Sequence, residues 1–249
     1  MPVHIPRVNY LCEGDNRLKK SSLPKLLEKL RKPPAVHNWV KNIRMRRDET
    51  AFSLHNFAVN PPRTSLLAAV NICIQVVVDR ISLQQAIQCT KGIKDPSSSE
   101  RAQWIVRAFH KVANDNGWEG IQVFRDMVEF YPVSAGVRVP VKPSFIVNDN
   151  GRLVPYFLIC WAKMDLSIYQ RRVLSTLITE AILSLEEFQG SDAVVVCTPV
   201  APYSKKERHV FSWKVSGVQP LDDEEKKALF DRYAGAMADA EKMLIESLG

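Results

Sequence analysis

The chain has 249 residues, of which 46% are hydrophobic and 24% charged, and its formal net charge at pH 7 is +7. This apolar content excludes an intrinsically disordered protein, and the length suits one large domain or two small ones. No apolar run reaches the roughly 18 residues of a membrane span, and the first residues lack the apolar core of a signal peptide. We therefore expect a cytoplasmic protein.

The first half of the chain is predicted to be mainly helical. A leucine stripe predicts a helix over residues 18–32, which two prolines end. After a basic segment, residues 60–62 (Asn-Pro-Pro) mark a break. The apolar pattern then predicts three further helices, over residues 64–78, 83–89 and 100–113.

The second half is predicted to contain a β-hairpin. Two apolar strands, 144–147 and 153–161, flank Asn148-Asp149-Asn150-Gly151, a sequence typical of a hairpin turn. Residues 136–143 are predicted to be a turn and an entry segment. The remaining predicted elements are a first strand at 125–133, a helix at 167–188, strands at 193–198 and 209–215, and a helix at 223–248.

The order helix–strand–strand–strand–helix–strand over residues 100–199 resembles the core of the PD-(D/E)xK, or restriction-endonuclease-like, superfamily. The resemblance implies an α/β fold with a mixed sheet flanked by helices, here with a helical N-terminal region. The chain as a whole is predicted to comprise a basic N-terminal arm and helix (1–63) and an α/β core domain with a helical lead-in and a C-terminal helix (64–249).

The resemblance also implies where a catalytic site would lie. In that superfamily an acidic residue on the second core strand and an E-x-K on the third bind Mg²⁺, a cation that prefers oxygen ligands. Here Pro143 is followed by Ser144 instead of Asp, and an E-x-K ending at Lys163 would have Trp161 in place of its Glu. The implied site is therefore degenerate.

Displaced carboxylates could still complete a nuclease site. Glu180 lies on the helix after the third strand, and Glu129 lies on the first strand. The candidate catalytic residues are Lys163, Glu180 and Glu129. Glu100, Asp149 and Asp165 are further carboxylates that could approach. A turn at Asp149, a helix cap at Asp165 and a solvated charge at Glu180 are the simpler interpretations.

Basic residues form two groups that could bind phosphates. Residues 1–63 hold 13 Lys and Arg against 5 Asp and Glu. A basic run with an aromatic residue is typical of binding to a nucleic-acid backbone, and a solvated arm is the alternative. The candidate nucleic-acid-binding residues are Lys41, Arg44, Arg46, Arg47, Lys205, Lys206 and Arg208.

Three functions stay open. The first is a nucleic-acid- or protein-binding protein built on a degenerate nuclease-like core, without a cofactor. The second is a Mg²⁺-dependent nuclease with displaced carboxylates, and the third is a structural or regulatory partner-binding protein. DNA, RNA or another protein are the expected partners, and a membrane is not. The scattered cysteines, with no CxxC spacing, predict neither a zinc site nor a disulfide framework.

Overall fold

A computed structural model of the chain describes residues 22–60, 66–121 and 127–248. The helices of this part are α1 (Leu23–Arg31), α2 (Val36–Lys41), α3 (Arg47–Val59), α4 (Leu67–Val78), α5 (Leu83–Lys91), α6 (Pro96–Asp115), α7 (Ile168–Ile178) and α8 (Asp223–Leu248). The strands are β1 (Gly120–Ile121), β2 (Glu129–Ser134), β3 (Val137–Val141), β4 (Phe145–Asp149), β5 (Arg152–Ile159), β6 (Val194–Cys197) and β7 (Phe211–Lys214). No described helix combines the length and apolar character needed to cross a membrane.

The main sheet is mixed and has the strand order β1-β4-β5-β6-β7. The predicted hairpin is confirmed, because β4 and β5 are antiparallel across residues 148–151. The left-handed backbone of Asn150 and Gly151 closes this turn, and the Gly151 amide donates to Asn148 Oδ1 at 2.9 Å. α7 then crosses over to β6, which lies parallel to β5. β5 is thus the central strand of the main sheet.

The predicted strand over 125–133 forms in part, as β2, but it lies outside the main sheet. β2 pairs antiparallel with β3 in a separate two-stranded sheet. The prediction of a turn over 136–143 is wrong, because β3 occupies most of it. Val137, Val139 and Val141 are buried on alternate positions, the period of a half-buried strand, while Gly136, at a φ of +71°, makes the turn.

Helices cover both faces of the main sheet. On one face α4, α5 and α6 pack around Phe145, Leu158 and Val196. On the other face α7 and α8, the β2–β3 hairpin and the helices α1–α3 pack around Phe157 and Val195. The predicted domain boundary at residue 63 lies outside the described residues, and the helices before it share this core: α3 and α1 both contact α8.

Helix α7 shows why the sequence forms this layer. Val173, Leu174 and Leu177 recur at helical spacing and are fully buried. Ser167 starts the helix with a capping box, in which its hydroxyl accepts from the Gln170 amide and the Gln170 side chain accepts from the Ser167 amide. The helix ends in a π-helical turn, Thr179–Leu183, which carries Glu180.

Candidate binding cleft

A cleft of about 1160 Å³ opens at the carboxyl end of β5, between the two helical layers. Ligands of α/β proteins commonly bind outside the carboxyl ends of strands. Its walls come from α2, from α3 and from the start of α4, and its floor comes from residues around β5. The lining residues include His37, Asn38, Lys41, Asn42, Arg44, Glu49, Phe52, Ser53, Asn56, Phe57, Asn60, Leu66, Leu67, Val70, Ser144, Leu158, Cys160 and Trp161.

Helix α3 has two apolar faces. Ala51, Leu54 and Ala58 are buried in the core. The cleft-lining residues Phe52 and Phe57 lie on another side of the same helix, and the Phe52 side chain is 58% exposed. A large aromatic ring is therefore kept in contact with solvent at the wall of a cleft, where it can stack on a ligand.

A chain of hydrogen bonds fixes the polar wall. Trp161 Nε1 donates to Asn38 Oδ1 at 3.1 Å, and Asn38 Nδ2 lies 3.2 Å from His37 Nε2. Asn42 Nδ2 donates to the Asn38 carbonyl at 3.0 Å, and the Ser53 hydroxyl donates to Asn42 Oδ1 at 3.1 Å. These side chains are held in place before any ligand arrives.

The network also assigns the tautomer of His37. Because an indole nitrogen only donates, the Asn38 oxygen must face Trp161 and the Asn38 amino group must face His37. The Asn38 amino group then donates to His37 Nε2, so the ring proton of His37 lies on Nδ1. Burial lowers the pKa of His37 to about 4, which keeps the imidazole neutral at pH 7 and able to accept this bond.

Two of the predicted phosphate-binding residues line the cleft. Lys41 Nζ lies 4.6 Å from the centroid of the Trp161 ring and 3.6 Å from Asp165 Oδ1, a distance too long for a hydrogen bond. Arg44 donates its backbone amide to Thr50 Oγ1 at 3.0 Å. Among the described residues no ion pair involves the Arg44 guanidinium, so both cations can reach a ligand.

The other basic residues predicted to bind phosphate are mostly engaged elsewhere. Arg46 pairs with Asp48, with two nitrogen–oxygen distances of 3.0 and 2.7 Å. Arg47 pairs with Asp239 through two bonds of 2.7 Å. Lys206 binds Glu100 at 2.7 Å, whereas Lys205 is exposed. The structure therefore brings only Lys41 and Arg44, of the seven predicted residues, to the cleft lining.

Arg208 has an internal structural role. Its Nη1 donates to the carbonyls of Trp161 and Thr198, both at 2.9 Å, and lies 3.4 Å from that of Cys160. Burial lowers the pKa of this guanidinium from its usual value. Because these carbonyls follow β5 and β6, Arg208 ties together the carboxyl ends of the two parallel strands, and with them the floor of the cleft.

Gln170 is a site residue that sequence reasoning missed. Its side chain is almost fully buried, and Nε2 lies 3.2, 3.3 and 2.8 Å from the carbonyls of Val40, Lys41 and Ile43. They lie at and just after the end of α2, where carbonyls lack intrahelical donors, although the Val40 carbonyl also accepts from the Ile43 amide at 3.0 Å. Gln170 therefore positions the backbone that carries Lys41, and its only sequence signal was its place three residues after a cap.

The three candidate catalytic residues lie on different elements. Lys163 is exposed in the loop after β5, and Glu129 is exposed at the start of β2. Glu180 accepts from Lys226 Nζ at 2.6 Å and from the Tyr131 hydroxyl, so both its oxygens are engaged. No hydrogen bond or ion pair in the described part links Lys163 to either carboxylate. Mg²⁺ needs accessible carboxylate oxygens, and Glu180 as placed does not offer them.

The remaining carboxylates also have local partners. Glu100 binds Lys206, Asp165 lies beside Lys41, and Asp149 accepts from Asn150 within the hairpin turn. Within residues 22–60, 66–121 and 127–248, no group of three or more His, Cys, Asp or Glu side chains is arranged to hold a metal ion.

No protein-family model matches this chain, and no curated protein matches it significantly.

Proposed function

We propose that this protein binds nucleic acid in the cleft and does not cleave it. The observation that carries the proposal is the combination of Phe52, Lys41 and Arg44 on one concave surface. Nucleic acids present flat bases beside phosphates, and proteins commonly bind them with aromatic rings and cationic side chains placed together.

The location of the cleft supports the same proposal. Ser144 and Trp161 stand where the resemblance to restriction-endonuclease-like proteins implies carboxylates, and both line the cleft. On this proposal the cleft occupies the former catalytic position of a nuclease-like core. The antiparallel β4–β5 pair, the α7 crossover and the parallel β6 are compatible with such a core, and β1, rather than residues 125–133, would be its first strand.

The proposal is tested by fluorescence anisotropy at low salt with labelled single-stranded DNA, single-stranded RNA and duplex DNA. A Phe52→Ala change should weaken binding by about 1–3 kcal/mol, the usual loss when a stacking ring is removed, which is about fivefold or more in Kd. Phe130→Ala is the matched control, because Phe130 is 56% exposed but does not line the cleft. Wild-type protein that binds none of the three nucleic acids would refute the proposal.

The nuclease alternative is tested on the same samples with Mg²⁺ added. We expect no cleavage, because Ser144 and Trp161 cannot replace two metal-binding carboxylates. Cleavage that disappears in both Glu180→Gln and Lys163→Ala, with folding intact, would establish the displaced-carboxylate enzyme instead. Cleavage that survives both changes would point to a contaminant or to another site.

A further inference from the structure

We infer that the cleft takes an unpaired segment of a few nucleotides, with Lys41 and Arg44 as its two phosphate contacts, and that it excludes a duplex. This inference rests on the proposed function and names the class of nucleic acid that the site selects. It follows from the distribution of unpaired charge, from the shape of the cleft and from the groups that line it.

Three of the predicted phosphate-binding cations outside the cleft are already paired with carboxylates. Arg46 and Arg47 each hold a carboxylate through two hydrogen bonds, and Lys206 holds Glu100. A phosphate would have to displace these partners before gaining a contact. Lys41 is held more weakly, since its 3.6 Å approach to Asp165 makes no hydrogen bond. The cleft therefore has two cations available for phosphate.

The shape of the cleft favours unpaired bases. In a duplex both faces of each base are covered by neighbouring bases, so a ring such as Phe52 at a cleft wall has no base face to stack on. Sequence-tolerant binding to aromatic side chains therefore uses single strands. Pockets for small ligands measure about 300–1,000 Å³, and this cleft of about 1160 Å³ exceeds that range. It has room for more than one nucleotide.

The polar wall can contact the edge of an unpaired base. The Asn38 amino group fixes Nε2 of His37 as an acceptor, so Nδ1–H is a donor, and no described residue accepts from it. The ring carries no charge at pH 7, because burial keeps its pKa low. A neutral donor beside the indole of Trp161 suits a carbonyl or ring nitrogen of a base.

The test combines a length series with a salt titration. Single-stranded oligonucleotides should gain affinity up to about four nucleotides, near the lower limit of known single-strand sites, and then level off. Two phosphate contacts predict a slope of log K against log salt of about −1.4, since each contributes about 0.7 for a single strand. Lys41→Gln and Arg44→Gln should each halve that slope, and Lys206→Gln, the control, should leave it unchanged.

The outcomes separate this inference from the proposed function. The inference would be overturned, while nucleic-acid binding stands, if duplex DNA bound as tightly as a single strand. It would also be overturned if Lys206→Gln reduced the salt-dependence slope and Arg44→Gln left it unchanged. No binding of any nucleic acid would overturn both. Capture of an acidic peptide in the absence of nucleic-acid binding, lost in Phe52→Ala, would assign the cleft to a protein partner. Thermal melts of all variants show whether each remains folded.

Discussion

The indole nitrogen of Trp161 donates a 3.1 Å hydrogen bond to the side-chain oxygen of Asn38, across 123 residues of chain. The bond joins α2 to the segment that follows the central strand. Since Lys41 lies over the same indole ring, the N-terminal helices and the sheet build the cleft together. Neither part of the chain would form this surface alone.

The first prediction concerns this bond. Asn38→Ala should lower the free energy of unfolding by about 1 kcal/mol or more, because a partly buried donor loses its partner. Trp161→Phe keeps a ring but removes the donor. In a double-mutant cycle measured by urea denaturation, the two changes should couple by at least about 0.5 kcal/mol, whereas independent sites add within about 0.3–0.5 kcal/mol. Strict additivity would show that the bond contributes nothing.

The second prediction concerns Gln170. Gln170→Leu leaves the Ile43 carbonyl and the Ser167 amide without their partner, and should lower the free energy of unfolding by more than about 2 kcal/mol. Gln189→Leu is the control, because Gln189 is exposed. Equal stability of the two variants would mean that water replaces the Gln170 side chain.

The fold could be predicted where the signals were local. The turn at 148–151 and the helix over 223–248 depend on signals within a few residues, and both formed as predicted. The helix predicted over 167–188 begins at the expected place, but it changes to a π-helical turn at Thr179. The prediction of a turn and entry segment over 136–143 failed, although the segment holds two prolines, which are disfavoured inside sheets. Pro140 instead lies within β3, and proline is tolerated in such a peripheral strand.

The cleft could not be predicted, since its walls come from segments far apart in sequence. Helix α3 was missed altogether. Its apolar residues lie on two sides, with Ala51 and Leu54 facing the core and Phe52 and Phe57 lining the cleft, so no single stripe appears. That double pattern, in a segment ended by Asn60-Pro61, was the signal that could have indicated a surface aromatic site.

The third prediction concerns Arg208. Arg208→Met removes a charged donor from the carbonyls of Trp161 and Thr198, and hydrogen bonds to charged groups contribute about 1.5–3 kcal/mol each. Hydrogen exchange should therefore speed up in residues 160–163 and 198–201, with lower global stability. Lys205→Met, a neighbouring exposed cation, is the control. Unchanged exchange in Arg208→Met would show that these loops hold together without it.

The fourth prediction concerns pH. In the folded protein the pKa of His37 is about 4, against 6.5 without burial. Between these two pKa values the unfolded chain binds more protons than the folded protein. The free energy of unfolding therefore falls as pH drops from about 6.5 to about 4, and the stability that neutral His37 contributes is fully retained above pH 6.5. His37→Gln should flatten this part of the profile.

Urea denaturation between pH 4 and 7 measures how the free energy of unfolding depends on pH in the wild type and in His37→Gln. His110→Gln is the control for loss of an imidazole. Burial also lowers the pKa of His55, so some dependence remains in the variant. A profile unchanged by His37→Gln would show that His37 is protonated freely in the folded state.

The last prediction concerns Asp165, and it rests on the proposed function. Its carboxylate lies 3.6 Å from Lys41 Nζ, with side chains 59% and 40% exposed. Exposed pairs of this kind contribute about 0–1 kcal/mol to stability, so Asp165→Asn should leave the melting temperature nearly unchanged. It removes a negative charge beside the phosphate site, and should tighten binding of a single-stranded oligonucleotide by about twofold to fivefold at low salt, with less gain at high salt.

The control for this prediction is Asp231→Asn, which makes the same change of net charge on α8, at an exposed residue. A gain in Asp165→Asn that exceeds the gain in Asp231→Asn, and that disappears in a Lys41→Gln background, is the expected result. Equal gains in the two variants would mean that only net charge matters and that Lys41 does not contact the ligand.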